Sequence, residues 1–92
     1  MKYKIGDWIV YTDKEWSNKW KKDYGFSLYG KVAKIIYIEK YCNLPLPYLI
    51  EFKKYINGHN GSGKGKDGYC LWCRKKEIIS LDQLKLKKLL TI

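Results

Sequence analysis

The stretch Asn57-Gly-His-Asn-Gly-Ser-Gly-Lys-Gly-Lys-Asp-Gly68 holds five glycines, two lysines and the only histidine of the chain. Glycine at this density lets the backbone reach φ > 0. Successive amide N–H groups in such turns form concavities that attract anions. Lys64 and Lys66 add full charges and His59 a third donor, so the chemistry indicated is capture of a phosphate. Gly58-x-x-x-x-Gly63-Lys64 also has the spacing of a phosphate-binding P-loop. That motif continues with Ser or Thr to hold Mg²⁺ and then opens a helix. Gly65, Asp67 and Gly68 provide neither, and 92 residues leave no room for the parallel sheet behind it. An NTPase is excluded and the general cradle stands. The plainer alternative is a solvated hairpin loop.

The surroundings of this loop are basic. Lys53, Lys54, Lys64, Lys66, Arg74, Lys75 and Lys76 stand against Asp67 alone in residues 53–76. If Phe52–Lys54 and Arg74–Lys76 pair across the loop, their charges collect at one end of a sheet. Like charges opposed in this way destabilise an empty site and suit a bound anion. The whole chain carries +10, from 19 basic and 9 acidic residues. Such a balance suits nucleic acid, a nucleotide or an acidic protein face. All the basic residues except Arg74 are lysine. That also fits a solubility surface, because base readout often uses the planar fork of arginine. Aromatic residues make up 16% of the chain, and Tyr48, Tyr55, Tyr69 and Trp72 lie in or beside the basic segment. Rings among lysines hold single strands without reading sequence, which makes Tyr55 and Tyr69 stacking candidates. Rings on a strand also build a core, the role expected of Trp8 and Trp72.

Other chemistries are less well supplied. Three cysteines, an odd number, exclude a complete disulfide framework. Cys70-Leu-Trp-Cys73 has zinc-ligand spacing, and Cys42 and His59 would complete a tetrahedral set. Residues three apart on a flat strand face opposite ways, and a second Cys-x-x-Cys is missing. Buried or free thiols are the stronger expectation, with no cofactor. One histidine, no Ser-His-Asp set and no paired carboxylates in the loop argue against an enzyme. His59, beside Asn60, reads as a hydrogen-bonding turn residue.

The elements that must carry these residues are short. Lys4–Tyr11 reads as a strand entered through a Gly-Asp turn. Trp16, Trp20 and Tyr24, spaced by four, fall on one helical face, so Thr12–Phe26 is a short helix or an ordered excursion ending at Gly25. With Phe26, these rings form a candidate protein-facing patch. Leu28–Glu39 is the longest strand candidate, and the prolines of Cys42–Pro47 mark a connection. Pro47–Phe52, Tyr69–Cys73 and Glu77–Leu81 follow as strands. Asp82–Leu90 forms an amphipathic helix with Ser80 or Asp82 as cap. Five short strands with one long early excursion predict a mainly β single domain over residues 1–92, a small SH3-like antiparallel barrel. No apolar run approaches the roughly 20 residues that span a bilayer. Met1-Lys-Tyr-Lys begins no signal peptide, so a cytoplasmic protein is expected.

Residues 48–79 carry Tyr-Leu-Ile-Glu-Phe, then Ile-Asn-Gly-His-Asn-Gly, then Gly-Lys-Asp-Gly-Tyr-Cys-Leu-Trp and Glu-Ile-Ile. This segment, about a third of the chain, resembles small uncharacterised proteins of bacteriophages and prophages. Tyr69 stands where a second histidine is usual in that pattern. The resemblance implies a phage or mobile-element origin and, by analogy, inhibition of host defence. The expectation is a non-catalytic protein engaging nucleic acid, a nucleotide or a host nucleic-acid-processing complex. Lys64, Lys66 and His59 contact phosphate in this reading, and Lys53, Lys54, Arg74 and Lys75 attract it at range. A protein-only inhibitor using residues 16–26, or a small zinc domain, are the alternatives.

Overall fold

Turn residues decide where each element begins. In the computed structural model, which describes residues 3–39 and 47–90, Lys4–Asp7 forms a turn. Gly6 takes φ 98° there, and Asp7 Oδ2 accepts the Lys4 N–H at 2.9 Å. The first strand, β1, is therefore only Trp8–Tyr11. Asp13 caps helix α1, Lys14–Tyr24, by accepting the Trp16 N–H at 2.8 Å. The helix ends at Gly25, whose φ of 84° is the left-handed conformation of a helix exit. A Leu28–Lys31 turn, with Gly30 at φ 80°, delays β2 to Val32–Ile38. Then come β3 (Tyr48–Phe52), β4 (Cys70–Cys73), a 3₁₀ turn at Lys75–Glu77, and β5 (Ile78–Ser80). Ser80 Oγ accepts the Gln83 N–H at 3.0 Å, so Ser80 caps the last helix, α2 (Leu81–Leu90). Cys42 and most of the proline-marked connection lie outside the described residues.

The five strands pair antiparallel in one sheet of order β4-β3-β2-β1-β5. Among the described residues β4 and β5 do not pair, so the sheet is open rather than a closed barrel. A bulge between Ile35 and Tyr37 interrupts the β2–β3 register, a feature that bends and twists a strand. Alternation sends Ile9, Tyr11, Ala33, Ile35, Ile50, Phe52, Leu71, Cys73 and Ile78 to one face, where they form the core with Tyr3, Leu28 and Ile56. Trp8 and Trp72 occupy the opposite phase. Contrary to the expectation from sequence, Trp8 is 41% exposed and Trp72 half-buried.

Two contacts lock the ends of the core. From α1, Trp20 enters it and donates its indole Nε1–H to Ile56 O at 2.7 Å. A buried tryptophan removes about 150–250 Å² from water, roughly 4–6 kcal/mol at 25 cal/mol per Å². Glu77 is also buried, and its carboxylate accepts the Arg74 N–H at 2.7 Å, Arg74 Nε–H at 3.2 Å and the Tyr11 hydroxyl at 3.2 Å. Burial, reinforced by Glu77, raises the Tyr11 pKa well above its ordinary value and keeps it a donor. Among the described residues no helix is long and apolar enough to cross a membrane. Trp20→Phe keeps most of the apolar area but orphans Ile56 O. It should cost about 1–3 kcal/mol, read as a fall in the urea midpoint with an unchanged slope.

Candidate functional site

The outer face of the sheet carries Leu49 and Cys70, both fully buried. They are covered by the glycine segment, which folds back flush onto β3 and β4. A side chain on Gly61 would collide with Leu49, and one on Gly58 with the Cys70 carbonyl. At Gly65 a Cβ would stand 2.5 Å from Cys70 Sγ and 2.6 Å from Ile36 Cδ1. These glycines are a packing requirement, because only a bare backbone fits against the sheet.

The same docking consumes the amides expected to hold an anion. Gly61 N–H donates to His59 Nδ1 at 2.9 Å and Gly63 N–H to Asn60 Oδ1 at 3.2 Å. Gly65 N–H reaches Asn60 O at 2.9 Å, and Lys66 N–H reaches Glu51 Oε2 at 3.0 Å. Gly58 N–H bonds to Gly68 O, and His59 exchanges two backbone bonds with Cys70. The donors of the expected cradle thus meet the protein's own acceptors. Its lysines lie over rings: Lys64 Nζ is 4.7 Å from the Tyr37 centroid, and Lys66 Nζ is 4.3 Å from that of Tyr69. Tyr37 sets its edge against Trp72, and Tyr69 against Tyr55. Tyr55, exposed, lies over Gly68 and donates to Asn57 Oδ1 at 3.0 Å. Both tyrosines expected to stack bases are thus engaged with each other.

The basic cluster expected at one end of the sheet is divided. Phe52 N–H donates to Tyr69 O, and Tyr48 pairs with Cys73. An antiparallel hairpin therefore puts Lys53 and Lys54 at the loop end and Arg74 and Lys75 at the far end. Arg74 is committed to Glu77.

Positive charge and an open ring meet elsewhere. Trp8 stands directly across from Lys34 on β2. Lys34 Nζ and Lys53 Nζ lie 5.5 and 5.0 Å from its ring. Lys53 also lines a groove of about 250 Å³ together with Lys31, Val32, Phe52, Lys54 and Ile56. Its apolar residues are shared with the core or its rim, and among the described residues no carboxylate lines it. Sequence reasoning missed Trp8 because Trp8, Ile9, Val10 and Tyr11 are all apolar. Alternation could not say which pair faced inward.

The aromatic patch on α1 is smaller than expected. Trp16 and Tyr24 are 41% and 44% exposed, and each packs a ring on Trp20. Trp20 itself is buried, and Phe26 packs on the core with Lys31 above it.

The zinc set is also divided. Cys73 lies in the core, and Cys70 lies on the outer face beneath Gly65. Burial and then Glu51 push the Cys70 thiol up to about 11, and burial with Glu77 raises Cys73 further. His59 Nδ1 is occupied by Gly61. No protein family, curated protein or solved structure matches the chain.

Two outcomes follow for the loop. Gly65→Ala should lose about 1–3 kcal/mol by overpacking. Gly63→Ala meets open space and suffers only the backbone cost of φ 88°, about 1 kcal/mol; urea melts of the pair test this order. Burial lowers the His59 pKa below its ordinary 6.5, and its Nδ1 must stay unprotonated to accept from Gly61. The unfolded chain therefore takes up the proton first, and stability falls as pH drops below about 6.5. His59→Ala should flatten that part of a Tm-versus-pH profile.

Proposed function

We propose that the protein is a non-catalytic module that holds a nucleic-acid strand on the surface around Trp8. The observation that carries this reading is a tryptophan 41% exposed on a strand, flanked by two lysine ammonium groups, one of which belongs to Lys53 on the wall of a lysine-rimmed groove. An exposed cation–π pair is worth about 0.5–1 kcal/mol, whereas stacking a base on an aromatic ring is worth about 1–3 kcal/mol. A base therefore displaces the ammonium groups from the ring, and they turn to the flanking phosphates. Lys64, Lys66 and Lys75 add long-range attraction rather than direct contacts, the charge of Arg74 being paired with Glu77.

The strand order is also the connectivity of a small SH3-like barrel with α1 in its long first connection, and we read the fold as such a barrel left open between β4 and β5. The resemblance of residues 48–79 to small phage and prophage proteins supports a mobile-element setting. In that setting the module acts against a host defence or nucleic-acid-processing system in the host cytoplasm. A second reading, a protein-only inhibitor, draws on Trp16 and Tyr24, exposed rings fixed in place by Trp20.

Salt separates the two. Binding of a single-stranded oligonucleotide, followed by tryptophan fluorescence, should weaken linearly in log salt with a slope near −0.7 per phosphate contact. Trp8→Ala should cost about tenfold or more. Lys34→Glu with Lys53→Glu should reduce both affinity and slope, and Trp16→Ala should change neither. No binding at low salt, or indifference to these Trp8 and lysine changes, would remove the strand-binding reading.

A further inference from the structure

The groove linked to Trp8 through Lys53 has a composition that a plain backbone track does not need. Its floor is Phe52 and Ile56, both nearly inaccessible, with Val32. Around that floor stand Lys31, Lys53 and Lys54, with no carboxylate among the lining residues. A strand's phosphodiester carries one negative charge, and one lysine along a track is enough to meet it. A phosphomonoester carries about −1.5 to −2 at pH 7, with a second pKa near 6, and three strongly accepting oxygens. Three lysines line one small depression, and their ammonium groups, two of which lie over the rings of Phe26 and Trp8, match the monoester once they turn inward. The volume of about 250 Å³ lies just below the roughly 300–1,000 Å³ of ordinary ligand pockets, which suits one nucleotide unit.

We infer that this groove binds a nucleoside phosphomonoester, so that a strand lying on Trp8 is held by a phosphorylated end. The inference rests on the strand-binding reading and names the part of the strand that is recognised. Lys53 joins the two halves of the site, since it both lines the groove and lies over the Trp8 ring. The apolar floor takes the sugar and base edge, and Lys31 and Lys54 take the terminal oxygens. Neither of these two lysines belongs to the Trp8 pair.

The test compares three hexathymidylates, 5′-phosphorylated, 3′-phosphorylated and unphosphorylated, by calorimetry at low salt and pH 8. One phosphorylated form should bind about tenfold tighter than the unphosphorylated one. The ratio should shrink as pH falls through about 6, because the monoester loses its second charge. Taking the ratio at each pH cancels any change in the protein common to both ligands. Lys31→Gln with Lys54→Gln should bring the ratio to about one, with thermal melts showing a folded protein. Equal affinity for all three hexamers, or a preference that survives the double substitution, would overturn the inference and leave strand binding standing. Thymidine monophosphate and thymidine form a separate arm. Monophosphate binding that needs Lys31 and Lys54, with no hexamer bound, would keep the groove's ligand chemistry and overturn the strand reading alone.

Discussion

A single sheet has two faces, and this chain has core enough for only one of them. The constraint on which the rest depends is how Leu49 and Cys70, on the second face, are kept from water. The chain lays a stretch of nearly bare backbone across them, and close approach of Gly61 and Gly65 makes the cover continuous. Closeness has a chemical consequence. Amides that lie flat against the protein must find acceptors there, since an unpaired buried N–H costs about 1–3 kcal/mol. His59, Asn60 and Glu51 supply those acceptors. A composition that suggests an open anion nest is thus used to close a surface.

The carboxylates follow the same logic. Asp7, Asp13, Glu51 and Glu77 each accept a backbone N–H at a turn, a cap or the loop joint. Four of the nine acidic residues therefore have structural positions, with Glu77 buried and the other three half-buried. Lysine meets far less acid on the outside than a count of charges suggests. Its ammonium groups settle over rings instead. Among the described residues seven lysine–aromatic pairs lie within 6.0 Å, where a chain of this length commonly has about one significant pair. Exposed pairs of this kind are weak, so they hold the charges in readiness without neutralising them.

Much of the architecture is legible in the residues. β-branched and aromatic runs mark five strands, the spacing of Trp16, Trp20 and Tyr24 marks α1, and Ser80 marks the start of α2. Strand starts are not, because Gly6 and Gly30 at positive φ turn residues that look extended. The partition of charge is legible only if the hairpin is followed to its end. Pairing Phe52 with Tyr69 necessarily sends Arg74 away from Lys53. The role of the glycines is not legible at all, since glycine permits both an exposed nest and a flush contact. Trp8 escapes for a related reason: a four-residue strand of apolar side chains has no polar phase to orient it.

The surface around Trp8 owes its form to this economy. Ile56, on the floor of the groove, is also the residue whose carbonyl holds the Trp20 indole. Phe52 sets its ring edge against Tyr11, which in turn donates to Glu77. The groove is therefore the outer side of the core, and its shape cannot relax without disturbing α1 and β1. A ligand entering it spends little on ordering the floor, which is where binding usually loses energy. Only the lysine side chains must reorganise, with Lys31 and Lys53 swinging in from the rings of Phe26 and Trp8.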